Sequence, residues 1–528
     1  MISNSPRNHW LIVGLSILLV LGIYIQTGWY GHGFDDQLTT QLHPTVAKGI
    51  SAIPEIFSSN YIELGGKKAD YRPITQVTYA IEQSLFGSRA GISHLINVLL
   101  YVFVILLLSS VFQKLTSKIL LSVMAVSVLI FSIHPIHTEV VASLKNREEI
   151  LALFFGLLSW RTMIKFGSSK SWLWLLLSSM LFIVALMAKI SIAPFALIVP
   201  FSLWFFNSTS KRKLIIVAAT MIVSTSAYLA IVTQLLSWED RSYLFIEKPL
   251  AFINDPWEQW SGIISSIGYY LKLAIWPYPM SIYYGYDAIP TSSVFGIICS
   301  ALAIIGILTL TVAGIIKRSI VGFGLAVFLI ALIPVSNIFY PIAGTVVERG
   351  LFIPTVGFSI AIAGLFHALT KSKFRCIAPV SAIVIIVGYT SSSMIRVSEW
   401  KSLETLLTTD VSNHPKSAKL HQLLGTIYLD KAKALDQEQG VQLAQKAADH
   451  FKASLAINDE WAWLNKQLAL TYARFIGTPE EAIPYFKREL QLKPNNFTAS
   501  FNLAKCFSSI GQNDSSLAYT QHTLSINP

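Results

Sequence analysis

Charge is what this sequence has least of. Only 13% of its 528 residues are Asp, Glu, Lys or Arg, about half the share found in an ordinary soluble domain. A water-soluble globule is thereby excluded for most of the chain. Cysteine is scarce as well: Cys299, Cys376 and Cys506 are far apart and form no Cys-x-x-Cys spacing. Neither a disulfide framework nor a zinc site is supported. Acidic residues number 29 against 40 basic ones, a formal charge of +11. That sign can mark a nucleic-acid binder, but here the excess falls in short loops between apolar runs, where it orients a chain in a membrane. No nucleic-acid partner is expected.

What is abundant is apolar sequence. Hydrophobic residues make up 53% of the chain and the mean hydropathy is +0.55. The first run, 10–26, is long enough to cross most of about 30 Å of hydrocarbon. It has no small-x-small cleavage site before Gly31, so it reads as a retained span. Further runs cover 95–112, 119–133, 150–165, 172–188, 192–206, 214–236, 293–316, 321–334, 351–369 and 376–390, eleven in all. With the amino terminus inside, the inner loops hold Lys114 and Lys118, Lys165 and Lys170, Lys211 to Lys213, Lys317 with Arg318, and Lys371, Lys373 and Arg375. Every compact basic cluster is then cytoplasmic. The outer side receives the loops at 30–93, 134–149, 189, 237–292 and 334–350, together with the carboxyl-terminal region. The stretch 257–276 carries Glu258, Gln259 and Lys272 between flanking Trp and Tyr, and reads as an interfacial helix rather than a twelfth span. Leu38, Leu42, Val46, Ile50 and Ile53 recur at helical spacing, so loop 30–93 is expected to hold one or two amphipathic helices on the membrane face, bracketing Arg72 and Pro73.

After Trp400 the composition turns soluble and helical. Pro494 and Pro528 stand 34 residues apart, after the matching phrases Leu-Gln-Leu-Lys-Pro and Leu-Ser-Ile-Asn-Pro, and 34 is the tetratricopeptide period. Ala482, Phe486 and Pro494 hold the small, aromatic and proline positions. A looser copy has Leu424, Gly425, Tyr428, Ala447 and Phe451, with an insertion at 430–440. About three repeats are the least that would bury their faces. The expected organisation is a transmembrane domain at 1–398, including the outer segments 30–93 and 237–292, and a repeat domain at 399–528.

Glycosyl transfer from a lipid-phosphate sugar needs a carboxylate for the acceptor hydroxyl, cations for the phosphate, and a surface where lipid and polar acceptor meet. Asp35 and Asp36 follow the first span directly and belong at the membrane surface, because a charge in lipid costs at least roughly 2.5 kcal/mol. Adjacent carboxylates raise each other's pKa and suit acid–base work; the plain alternative is a solvated flank or a helix cap. They are also the candidate ligands for a divalent cation, Mg or Mn. Arg349, Lys189 and Arg72 are candidates to hold phosphate, and Lys189 could equally snorkel. Glu348 and Arg349 stand at the entry to an apolar span, where uncompensated charge tends to be functional. His134, His137 and Glu139 have metal-like spacing, but Pro135 intervenes, and helix capping and interfacial hydrogen bonding are the expected roles. Arg147, Glu148 and Glu149 read either as site residues or as an exposed charged helix start.

The phrases Phe34-Asp35-Asp36, Tyr71-Arg72-Pro73, His94-Leu95-Ile96-Asn97, His134-Pro135-Ile136-His137-Thr138-Glu139-Val140-Val141 with Arg147 following, Pro334-Val335-Ser336-Asn337-Ile338-Phe339 and Val347-Glu348-Arg349-Gly350-Leu351-Phe352-Ile353-Pro354 occur in an order that resembles the transmembrane and tetratricopeptide-repeat O-mannosyltransferases. The resemblance implies an all-α, polytopic GT-C fold with a repeat α-solenoid, a polyprenyl- or dolichyl-phosphate sugar donor, often mannose, and an inverting single displacement at the extracytoplasmic face. It implies that Asp35 is the base and Asp36 its partner. Arg349, Lys189, Arg72 and Glu348 would form the donor end, and His94, Asn97, His134, His137, Glu139 and Arg147 would support the polar site. One departure stands out: the family often has an acid after the lysine of the short outer turn, whereas Ile190 follows Lys189. The acceptor is expected to be a protein or glycan docked by the repeats, and the lipid bilayer is the other partner. Lean loops and the lack of a retention signal favour a bacterial inner membrane over the endoplasmic reticulum. The rival readings are a lipid-linked oligosaccharide ligase or O-oligosaccharyltransferase, whose key residues would lie in a large late outer loop, and a non-catalytic membrane scaffold.

Overall fold

In lipid every backbone N–H and C=O must be paired within the segment, so apolar runs of this kind have to be helical. The computed structural model describes residues 6–527 apart from 34, 65–66, 117–119, 170, 236–242, 286–292 and 374. Phe34, Lys118, Lys170, both ends of the 237–292 segment and Pro528 lie outside the described residues. The chain begins with α1 (Pro6–Tyr24), continues through a 3-10 segment at Ile25–Trp29 into the acidic loop, and then forms α2 (Asp36–Thr39) and α3 (Ile53–Ile56). A short antiparallel hairpin follows, β1 (Ile62–Leu64) against β2 (Lys67–Ala69). This hairpin is a departure from an all-helical expectation. Loop 30–93 otherwise carries short helical turns before Arg72 and one longer helix after it, α4 (Pro73–Phe86).

Then come α5 (Ala90–Leu115), α6 (Leu121–Ser132), α7 (Thr138–Ala142), α8 (Arg147–Ser168), α9 (Leu173–Ala188), α10 (Phe195–Phe205) and α11 (Lys211–Leu235). After them stand α12 (Pro256–Ile275), α13 (Val294–Ile316), α14 (Ile320–Leu332), α15 (Pro354–Thr370) and α16 (Ile377–Glu399). Among the described residues six helical stretches are long and apolar enough to cross a membrane: Arg7–Trp29, Ala90–Leu115, Arg147–Ser168, Lys211–Gln234, Val294–Ile316 and Ile377–Glu399. The protein is therefore a multi-pass membrane protein. A seventh crossing arises if Leu121–Ser132 and Pro135–Ala142, bent by 51° at the break, act as one span. The other expected spans fall on the shorter helices Leu173–Ala188, Ile190–Phe205, Ile320–Val335 and Pro354–Thr370. At 1.5 Å per residue, such helices fall short of the roughly 30 Å hydrocarbon layer. Helix α12 is not among the candidate spans. Asp255 caps it, accepting from the Glu258 N–H at 2.8 Å, and Trp257 and Trp260 are exposed on it.

Close backbone approach builds the core where small residues face each other. Helices α14 and α15 meet at Gly324 and Gly357; a Cβ added at Gly357 would lie 2.2 Å from the Phe328 nitrogen. The largest buried cluster joins α1, α5, α6, α8, α9, α10 and α15 through Tyr24, Tyr101, Phe131, Trp160, Phe182, Phe195 and Val356.

Beyond α16 the helices are shorter and amphipathic. They are α17 (Leu403–Asn413), α18 (Ala418–Lys433), α19 (Gln437–Ile457), α20 (Ala462–Leu470), α21 (Pro479–Leu492), α22 (Phe497–Ser509) and α23 (Asn513–Ile526). α18 packs on α19, α20 on α21 and α22 on α23, the hairpin pattern of tetratricopeptide repeats. Gly425 is required in the first pair, since a Cβ there would stand 2.6 Å from the Phe451 ring. The insertion at 430–440 is absorbed by extending α18 and starting α19 early, capped by Asp436, which accepts from the Gln439 N–H at 3.1 Å.

Candidate functional site

The turn between α7 and α8 organises the polar residues. Lys145 donates its backbone N–H to Asp36 Oδ1 at 2.8 Å, and its ammonium reaches Asp35 Oδ2 at 2.5 Å. The Ser143 hydroxyl adds a bond to Asp36 Oδ1 at 3.3 Å, and the Gly33 N–H donates to Asp36 Oδ2 at 2.7 Å. Asp36 is thus 3% exposed and satisfied on both oxygens. The Asp35 side chain is 41% exposed. The two acids are not equivalent: Asp36 fixes the loop, and Asp35 faces outward. His32 in the same loop is half-buried, and burial lowers its pKa against the opposing pull of Asp36.

Three of the expected supporting residues hold this turn from behind. His94 Nε2 pairs with the Gly31 carbonyl at 3.1 Å. The Asn97 amide donates to the Ser143 carbonyl at 3.3 Å. Arg147 is fully buried; its Nε donates to Asn97 Oδ1 at 2.6 Å, and its guanidinium pairs with Glu82 and donates to the Ser93 carbonyl at 2.9 Å. An exposed charged helix start is therefore excluded for Arg147, Glu148 and Glu149, all of which are buried. Sequence gave no hint that Glu82, on α4, is the partner.

Glu148 gathers the cations. One of its oxygens accepts the Lys189 ammonium at 2.6 Å and the other pairs with Arg72. Lys189 also pairs with Glu149 at 2.8 Å, and Arg72 with Asp70 at 2.8 Å. Burial weakens the Arg72 charge, but Glu148 and then Asp70 more than offset it and hold the guanidinium above its ordinary pKa. Arg349 is anchored by Glu139, through its backbone N–H at 2.9 Å and its Nη1 at 2.6 Å. Burial again opposes its charge, while Glu139, with Glu148 and Glu149 adding, raises its pKa. The Arg349 side chain remains 32% exposed. Segment 139–149 therefore contacts Arg349, both acids, Arg72 and Lys189.

His134, His137 and Glu348 stand elsewhere. His134 Nδ1 accepts from the Ile136 N–H at 3.3 Å, a helix cap, and its Nε2 pairs with the Ala274 carbonyl at 2.9 Å. His137 pairs with the Tyr101 hydroxyl and the Thr355 hydroxyl, both at 2.7 Å. Both rings are used up by protein partners. Among the described residues no three His, Cys, Asp or Glu side chains form a metal-binding group. A cation between Asp35 and Asp36 would have to displace the Lys145 ammonium, so the acid pair as arranged does not fit a metal. Glu348 is 1% exposed and turned toward residues 281–284, so only Arg349 of that pair is accessible.

Lys145 is not among the residues the sequence singles out; its signal is a cation two residues before Arg147 in the outer loop 134–149. No family model matches the chain. A protein O-mannosyl-transferase of Caenorhabditis elegans is 24% identical over 451 residues, covering 83% of this chain and 62% of that protein. The chain resembles the protein O-mannosyl-transferases along most of its length. The human relative TMTC4 is 26% identical over 68% of this chain and 56% of its own length. Human TMTC3 is 22% identical over 92% and 58%. The chain thus spans somewhat more than half the length of these relatives. Among solved structures, MamA covers 32% of the chain at 18% identity with a TM-score of 0.21, too low to relate the two folds.

Proposed function

We propose that the chain is a GT-C type membrane glycosyltransferase that moves a hexose, mannose by its relatives, from a polyprenyl-phosphate carrier to a hydroxyl of a protein acceptor. A glycan hydroxyl would be served by the same chemistry. The observation that carries the reading is that one segment, 139–149, holds both the partly exposed Asp35, through Lys145, and Arg349, about a third exposed, through Glu139. Asp35 takes the proton of the acceptor hydroxyl as its oxygen attacks the anomeric carbon. The bond from that carbon to the phosphate oxygen breaks with inversion, and the phosphate leaves with the electron pair. Arg349 meets the growing charge with its fork of donors, and Lys189 and Arg72 supply further cations. Lys145 orients Asp35. General-base help of this kind is worth roughly 10²–10⁴ in rate.

In this reading residues 1–398 form the catalytic membrane domain and 399–528 the acceptor-docking repeats. Counting the bent pair and the four shorter apolar helices as crossings gives eleven spans, with the basic loops cytoplasmic and the acids and repeats extracytoplasmic. A bacterial inner membrane fits the short loops.

The test is sugar release from labelled polyprenyl-phosphate mannose and polyprenyl-phosphate glucose by purified protein in detergent, with membrane extract as acceptor. Transfer from the mannose donor, with a higher donor KM in Arg349→Ala, is expected. Both donors left intact by the wild type would overturn the reading in favour of a scaffold.

A further inference from the structure

Asp410 belongs to α17, the first helix after the membrane spans, yet it is completely buried. Its Oδ1 accepts from Arg396 Nη1 at 2.6 Å and its Oδ2 from Arg396 Nη2 at 3.3 Å. The same Oδ2 accepts the Ile282 N–H at 2.8 Å and the Ser281 hydroxyl at 3.5 Å. On its other side that short segment grips Glu348: the Ser281 N–H and the Tyr284 hydroxyl both donate to Glu348 Oε1 at 2.5 Å. Tyr284 is itself bridged to Val346, two residues before Glu348, and His414 of the α17 terminus lies edge-on to its ring at 5.2 Å. The path from α17 to the residue beside Arg349 is therefore two hydrogen-bonded links long. A buried ion pair is seldom the cheapest way to anchor a helix, because desolvation costs about as much as the pairing returns.

We propose that Asp410 is a positioning residue for the Glu348–Arg349 pair, acting through Arg396 and segment 281–284. Through it the repeat region sets the geometry of the donor end of the site. The inference rests on the reading of Arg349 as a donor-phosphate contact. Charged and titratable groups facing Glu348 come from every element around it: Arg396 on α16, Glu139 on α7, Tyr269 and Lys272 on α12, and Tyr284, with His414 lying against the Tyr284 ring. Burial raises the Glu348 pKa to about 8, with Arg396 pulling it down and Glu139 pushing it up. With Asp410 neutralised, Glu399 is still paired with Arg396, and more of the Arg396 charge acts on Glu348.

The experiment is infrared titration of the protonated Glu348 carboxyl in the full-length protein, the band being assigned by its loss in Glu348→Gln. In Asp410→Asn the midpoint should fall by at least about half a pH unit, since even one unit is only about 1.4 kcal/mol. In Asp410→Asn combined with Arg396→Gln it should rise above the wild-type value. The double variant removes both members of the buried pair, and Glu399, which loses its contact with Arg396, is 18% exposed, so it keeps the test alive if the single one does not fold. Folded variants whose midpoints match wild type would overturn the proposal and leave Asp410 a structural anchor. Shifted midpoints in a chain that transfers no sugar would uphold the coupling and sink the transferase reading. Unshifted midpoints with intact transfer would do the reverse.

Discussion

Lys145 and Asp36, 109 residues apart in sequence, are joined by a hydrogen bond of 2.8 Å from the Lys145 backbone N–H to the Asp36 carboxylate. That bond ties the loop after the first helix to the turn before α8, and the Lys145 ammonium then orients Asp35 from the same turn.

The two acids should respond differently to removal. Asp36→Ala takes the acceptor from the part-buried N–H groups of Gly33 and Lys145, each worth at most roughly 1–3 kcal/mol when left unpaired, so it should lower the unfolding temperature as well as activity. Asp35→Ala should melt near wild type and lose roughly 10²–10⁴ in kcat. Thermal unfolding in detergent beside a transfer assay separates the two.

Glu148 carries two cations at once. Glu148→Gln should cost roughly 3–5 kcal/mol, the usual penalty for breaking a buried pair from one side. A urea or thermal midpoint close to wild type would show that Arg72 and Lys189 find other counter-charges.

Glu348 gives the fold a pH dependence of defined sign. Its carboxyl moves from the ordinary 4.5 to about 8 through burial, so the folded chain holds a proton that the unfolded chain has released. Stability from this group is full below about 4.5 and declines as pH rises toward about 8, above which it levels off. Thermal midpoints measured across that window should fall in wild type, and this component of the fall should vanish in Glu348→Gln.

Gly357→Val should disrupt the seam between α14 and α15, because the new Cβ would lie 2.2 Å from the Phe328 nitrogen. Such overpacking costs roughly 1–3 kcal/mol and occasionally more. Reduced yield of folded protein from membranes, with no comparable effect of Gly14→Ala, where nothing lies within 4 Å, would check it.

The fold was largely legible because lipid forces apolar runs to be helical, and the repeat phrases ending at Pro494 and Pro528 announce a fixed period. What was not legible is pairing across the chain. Glu139 and Arg349 are 210 residues apart and Arg147 and Glu82 are 65 apart; no spacing rule connects them. The hairpin at 62–69 was missed although Gly65-Gly66 between two short polar and apolar runs is a hairpin signal. His134 and His137 had metal-like spacing with Pro135 between them, so capping and hydrogen bonding were the expected roles, but the partners they take, Ala274, Tyr101 and Thr355, follow from no sequence rule. The distinction between Asp35 and Asp36 likewise depends on which carboxylate the 143–145 turn encloses.

The most direct measurement is transfer of labelled mannose from polyprenyl-phosphate mannose to a protein acceptor by wild type and by folded Asp35→Ala, at equal protein concentration and matched unfolding temperature. Transfer by wild type that falls at least about a hundredfold in the variant is the result expected of Asp35 as the base. Equal transfer by both proteins, or none by either, would contradict it.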